Sequence, residues 1–151
     1  MRYYIDSEFD GHNGPLLSIA MVREDGHSIH VTTDQVPTDP WVIENVVPIL
    51  HYHEADVVHV DVELNRVGNR LRVFLSGDPH PTIVADSPVD IGRFCQVINT
   101  DKNGNWAPFH KARIDFEVHN VNCWPNDLEY LKQHNAWCDA VALRHVLLGD
   151  A

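Results

Sequence analysis

Residues 1–9 (MRYYIDSEF), 16–23 (LLSIAMVR) and 27–33 (HSIHVTT) decide the fold. Each run is rich in β-branched or aromatic residues and alternates loosely, as a half-buried strand does. Gly11-His12-Asn13-Gly14-Pro15 stands between the first two, and Glu24-Asp25-Gly26 between the second and third. Both are turn chemistry, so the chain opens as three antiparallel strands. Beyond the loop at 37–40, residues 41–50 carry apolar side chains at near-helical spacing. Residues 62–75 do so through Leu64, Val67, Leu71 and Phe74 or Leu75. After the His80-Pro81 breaker, residues 82–85 (TIVA) read as a short buried strand, and residues 89–98 (VDIGRFCQVI) return to helical spacing. Residues 99–108 are a loop, 113–121 suit a further strand, and a helix over 135–148 ends before Gly149. The order β-β-β-α-α-β-α-β-α predicts an α/β protein with a mixed, mostly five-stranded sheet flanked by helices.

A chain of 151 residues with 44% apolar content fits a single domain spanning 1–151. No segment approaches the roughly 20 consecutive apolar residues that span a bilayer. The N-terminus runs into a strand without a signal-peptide core, so a cytoplasmic location is expected. The formal charge of −11 argues against long nucleic acid as a partner, because phosphate-backbone affinity comes from Lys and Arg. It suits a site that holds cations instead. Cys95, Cys123 and Cys138 form no C-x-x-C pair and are expected to be buried free thiols. Eleven histidines raise the question of zinc, with His51 and His53, or His119 and Cys123, as the closest pairs. Neither spacing completes a four-ligand set, and scattered surface histidines are the expectation.

Three carboxylate groups stand out. Asp6 and Glu8 lie two apart on the first strand, so both point to one face, separated by roughly 6.6 Å. Asp86 and Asp90 flank the junction where TIVA ends and a helix begins, the end of a strand at which open α/β sheets bind ligands. Asp86 and Ser87 suit a turn and an N-cap equally well, with Pro88 at the first helical position. The third is His134-Asn135-Ala136-Trp137-Cys138-Asp139. Within one helix His134 and Asp139 would point roughly 140° apart, so they converge only if His134 precedes the helix and Asn135 caps it.

In this order the pieces resemble the DEDDh exonucleases of the ribonuclease H-like superfamily: Asp6-Ser7-Glu8-Phe9, then Asp90 at a strand–helix junction, then HNAWCDAVALR from His134. The likeness is nearest to small stand-alone bacterial exoribonucleases such as ribonuclease T and oligoribonuclease. It departs from the second motif at Asp86, where the family usually has Asn, and at Val89, where it has an aromatic residue. The residue four before Asp139 is Asn135, not tyrosine, which indicates the histidine branch.

The resemblance implies a ribonuclease H-like fold and a 3′–5′ exoribonuclease that uses two divalent ions, Mg²⁺ or Mn²⁺. Asp6 would bridge both ions, Glu8 and Asp139 would complete the first, and Asp90 would hold the second. His134 would accept the proton of the attacking water. Phe9 and Leu17 are candidate contacts of the terminal base, with core packing the competing reading for both and the stronger one for Leu17. Asp86 is a rim residue or a substrate contact, and Arg93, Lys111, Arg113 and Arg144 are candidate phosphate contacts. So acidic a chain should grip only the last nucleotides of single-stranded or short RNA. The alternatives are a proofreading-type 3′–5′ exodeoxyribonuclease and a non-catalytic nucleic-acid-binding module on the same fold. A homodimer is expected, as the resembling enzymes pair.

Overall fold

The computed structural model describes residues 1–111, 113–121 and 124–149. Its centre is a mixed sheet of six strands, in the order β4-β3-β2-β1-β5-β6. The opening strands β1 (Arg2–Phe9), β2 (Leu16–Arg23) and β3 (Ser28–Thr33) pair antiparallel, as their turns predict. β4 (Val58–Val62), β5 (Thr82–Ala85) and β6 (Asp115–Val118) join in parallel, to β3, β1 and β5 respectively.

The expected count of five strands is therefore one short. The missing strand is β4, whose Val-His-Val-Asp-Val alternates strictly. Val62 fits that two-residue period and also the helical spacing of the stretch after it, and the sheet edge takes it. The helix expected over 62–75 accordingly begins later, as a 3₁₀ turn at Leu64–Arg66 followed by α2 (Val67–Phe74). The helix expected over 41–50 stops after α1 (Pro40–Asn45), because Pro48 lacks the N–H that would continue it; Val47–Ile49 is a 3₁₀ turn.

α2 and α3 (Pro88–Ile98) cover one face of the sheet over Tyr3, Ile5, Ile19, Met21 and Ile83. Gly68 permits their close approach, since a Cβ there would lie 2.0 Å from the Val97 carbonyl oxygen. α4 (Ala136–Leu148) covers the other face over Tyr4, Ala20, Val22 and Val84. It is capped by Asn135, whose side chain accepts from the Cys138 N–H, and it ends at Gly149 with φ 66°. No helix among the described residues is long and apolar enough to cross a membrane.

Of the cysteines, Cys138 is a buried free thiol and Cys95 a partly buried one, while Cys123 lies outside the described residues. The histidines are not all scattered over the surface: His30 is wholly buried, and its ring lies 5.3 Å from that of His59. The unforeseen β3–β4 pairing sets these two residues directly opposite each other.

Candidate active site

On β1 the side chains of Asp6 and Glu8 point to the face covered by α4, and Ser7 between them points to the α3 side. β2 carries an extra residue where its register with β1 shifts: Glu8 pairs with Ser18 and Phe9 with Leu16. This bulge turns Leu17 into an apolar cluster with Val42, Val46 and Leu50. Leu17 has no exposed surface and packs the core, so it does not reach a substrate base.

Asp90 arrives from the first turn of α3, and Ser7 orients it. The Ser7 backbone N–H, at 3.1 Å, and the Ser7 hydroxyl both donate to Asp90 Oδ1. Ser87 caps α3, accepting from the Val89 N–H with Pro88 at the first position, so the capping role open to Asp86 falls to its neighbour. Asp139 enters from the first turn of α4, and the His134 N–H donates to its Oδ2 at 3.0 Å. His134 itself precedes the helix with φ 66°, a left-handed conformation that costs a non-glycine residue energy, and it lines the same cavity as Asp6, Asp86 and Asp139.

These elements bring the carboxylates into two overlapping groups. Asp6, Glu8 and Asp139 each offer an oxygen within 4.8 Å of the others, and so do Asp6, Asp86 and Asp90. Asp6 belongs to both. Asp86, read from sequence as a rim residue, thus stands among the candidate ligands even though it is exposed. The open cavity beside them has a volume of about 350 Å³ and is lined by Asp6, Asp86, Trp124, His134, Asp139 and Leu143.

Burial and mutual repulsion make this cluster hard to ionise. Burial, then Asp139, Asp90, Glu8 and Asp86 in turn, holds Asp6 well above the ordinary aspartate range. Burial with Asp139 and Asp90 pushes Glu8 up to about 8. Burial takes Asp139 to about 7 against the opposing His134 hydrogen bond, and Asp90 to about 6 against those from Ser7. Asp86 is raised by burial as well. An all-oxygen, multiply charged set of this kind fits a hard divalent cation such as Mg²⁺ or Mn²⁺, whose charge offsets the repulsion.

Around the carboxylates, Phe9 is half-buried with the Arg93 guanidinium 4.3 Å above its ring, and Arg93 also donates to the Gly14 carbonyl. The other basic candidates are engaged elsewhere: Lys111 donates to Leu75 O, Arg113 pairs with Asp115, and Arg144 donates to the Arg23 and Glu24 carbonyls. Sequence reasoning missed Trp41. Asp10, just past β1, accepts hydrogen bonds from Thr38 and Asp39, and Asp39 caps α1. That places Trp41, 52% exposed, with its ring centre 5.1 Å from that of His134. Nothing in its helical spacing distinguished it from a core residue.

No family model matches the chain, and no curated protein matches it.

Proposed function

We propose that the protein is a metal-dependent 3′–5′ exoribonuclease on a ribonuclease H-like fold, acting on single-stranded or short RNA ends. The observation that carries this reading is Asp6 shared between two ligand-capable carboxylate groups, with His134 on the rim of the same cavity. The motif order of the sequence supports it. Asp6, Glu8 and Asp139 would hold one divalent ion, and Asp6, Asp90 and Asp86 a second. When bound, such a pair supplies Lewis-acid charge for an attacking water, the phosphoryl oxygens and the departing 3′-oxygen.

The chain's own groups supply the rest. Ser7 and the His134 N–H fix the rotamers of Asp90 and Asp139, so the carboxylates are set before substrate arrives. His134 stands exposed at the cavity, where its imidazole takes the proton of the water that attacks the terminal phosphodiester. Trp41 beside His134, and the Phe9–Arg93 pair at the end of β1, offer aromatic surface and a cation suited to a terminal base and its phosphate. With the remaining basic candidates turned to internal partners, the grip extends over only a few nucleotides.

Incubation with 5′-labelled RNA and DNA oligomers, with Mn²⁺ or EDTA, tests this. The expected result is a ladder from the RNA 3′ end that needs metal and runs faster than DNA of the same sequence. A faster DNA ladder would make the enzyme an exodeoxyribonuclease, while internal cuts or activity in EDTA would remove the proposal. His134→Ala should lower turnover by roughly 10²-fold or more with Mn²⁺ affinity nearly unchanged, because a base acts on the water and not on the ions. Calorimetric titration that showed metal binding lost along with turnover would make His134 a ligand.

The two second-motif aspartates should differ. Asp90 is buried and oriented by Ser7, so Asp90→Asn should cost roughly 10²- to 10³-fold. Asp86→Asn keeps an oxygen donor at an exposed position and should cost less than about tenfold. Rates for both variants at saturating Mn²⁺ check this, and the reverse order would exchange their roles.

A further inference from the structure

The pairing that makes β4 the sheet edge also builds a second polar cluster. In the parallel β3–β4 register His30 stands opposite His59 and Thr32 opposite Asp61, all four on the face that β1 uses for Asp6 and Glu8. The segment after the 3₁₀ turn at Val47–Ile49 brings in His51 and His53. His51, His59 and Asp61 each offer a donor atom within 4.8 Å of the others. His51 Nδ1 lies 3.4 Å from Asp61 Oδ1, and His59 Nε2 lies 3.7 Å from the same oxygen. Donors on one tetrahedral zinc, with bonds of about 2.0 to 2.1 Å, are separated by roughly 3.3 Å. The ring centres agree as well. Two imidazoles on one such ion sit roughly 5 Å apart. The His59 ring is 5.7 Å from His51, 5.3 Å from His30 and 4.7 Å from His53.

His30 supplies an independent observation. Its side chain has no exposed surface, and neither ring nitrogen has a hydrogen-bond partner among the described residues. A buried imidazole with both nitrogens unpaired is costly, and nearly all buried polar groups find a partner. Its ring lies 5.3 Å from that of His59 and 6.4 Å from that of His53.

We propose that His51, His59 and Asp61, with His30 beneath them, form a binding site for one zinc-class divalent ion. The ligand type separates it from the carboxylate site, because imidazole favours zinc where an all-oxygen set favours Mg²⁺ or Mn²⁺. Thr32 is its outer partner, its hydroxyl donating to Asp61 Oδ1. The site joins the segment at 51–53 to the edge of the sheet. That segment is also gripped by the cap of α4, as the Asn135 side-chain amide donates to Ile49 O at 2.7 Å and Tyr52 O at 3.1 Å. An ion here therefore fastens the cap that separates His134 from Asp139. Its part is structural, and the site stands whether or not the chain is a nuclease.

The test uses full-length protein stripped of metal and then held in excess Mg²⁺ to occupy the carboxylates. Zn²⁺ is titrated against a chromophoric chelator, and Co²⁺ is added to a second sample for its absorption spectrum. One Zn²⁺ per chain, a raised melting temperature and the intense visible bands of tetrahedral Co²⁺ are expected. His51→Ala, at an exposed position where folding is safe, should weaken Zn²⁺ binding by at least roughly tenfold, the lower bound even for loss of an outer partner. Glu8→Gln should leave it unchanged. Absence of Zn²⁺ binding in excess Mg²⁺, undiminished binding by His51→Ala, or loss with Glu8→Gln would each overturn the proposal.

Discussion

Asp6→Asn is expected to lower the proposed RNA hydrolysis by roughly 10³-fold or more and, in the same protein, to raise the melting temperature of the metal-free form at pH 8. The two effects share one cause. Asp6 is the member common to both carboxylate groups, so its loss removes charge from each candidate cation position at once. Without cations, that same charge is a burden. Asp6 is crowded by Asp139, Asp90, Glu8 and Asp86, and each of these is itself pushed toward its protonated form. The amide is nearly isosteric and uncharged, so it relieves the repulsion without opening a cavity. Gain of stability with loss of function marks a residue kept for its chemistry. Thermal melts in EDTA at pH 8, beside rates in Mn²⁺, separate the cases. A variant that lost activity and stability together would make Asp6 a structural aspartate, and the proposed function would lose its central residue.

The parts of the site legible in the sequence were those fixed by local geometry. The two-residue spacing of Asp6 and Glu8 guarantees a shared face on any strand, and the structure keeps them there. Asn135 as a cap, with His134 before it, follows from the angle that a helix would otherwise impose, and both hold. What depended on other parts of the chain was not legible. Whether Asp86 reaches Asp6 depends on β5 pairing parallel to β1, which brings the strand end beside the first motif. The fate of Leu17 turned on a one-residue bulge, and that of Trp41 on Asp10 holding the segment before α1. The histidine cluster needed the strand that competing periodicities concealed, and Pro48 carried a stop signal that the apolar spacing of 41–50 outweighed.

The metal-free protein is also expected to lose stability as pH rises from about 6.5 to 8.5, and Mg²⁺ to abolish most of that loss. A carboxyl whose folded pKa is raised contributes stability that is fully present below its unfolded value, near 4, and is lost as pH climbs through the folded value. Those values are about 6 for Asp90, about 7 for Asp139 and about 8 for Glu8, which sets the window. The groups that act in the opposite sense do so lower down. Asp10, Asp25, Asp34, Asp61, Asp78 and Glu117 are held below the ordinary carboxylate range, so their contribution is complete well before neutrality. His30, pushed down to about 3 chiefly by burial, and His59, lowered for the same first reason, lose stability only as pH falls below the ordinary histidine value near 6.5. Above that point nothing among the described residues opposes the carboxylate cluster. Mg²⁺ held by the proposed site would replace the protons that the cluster retains, and protons compete less as pH rises, so its stabilising shift should grow toward pH 8.5. Mg²⁺ is the ion of choice because it leaves the imidazole cluster alone. Differential scanning fluorimetry in EDTA and in Mg²⁺ at several pH values reads both trends, and Glu8→Gln should flatten the EDTA curve. A melting temperature in EDTA that held steady or rose between pH 6.5 and 8.5 would mean that the carboxylates are not crowded as their geometry requires, and the case for a cation among them would fall with it.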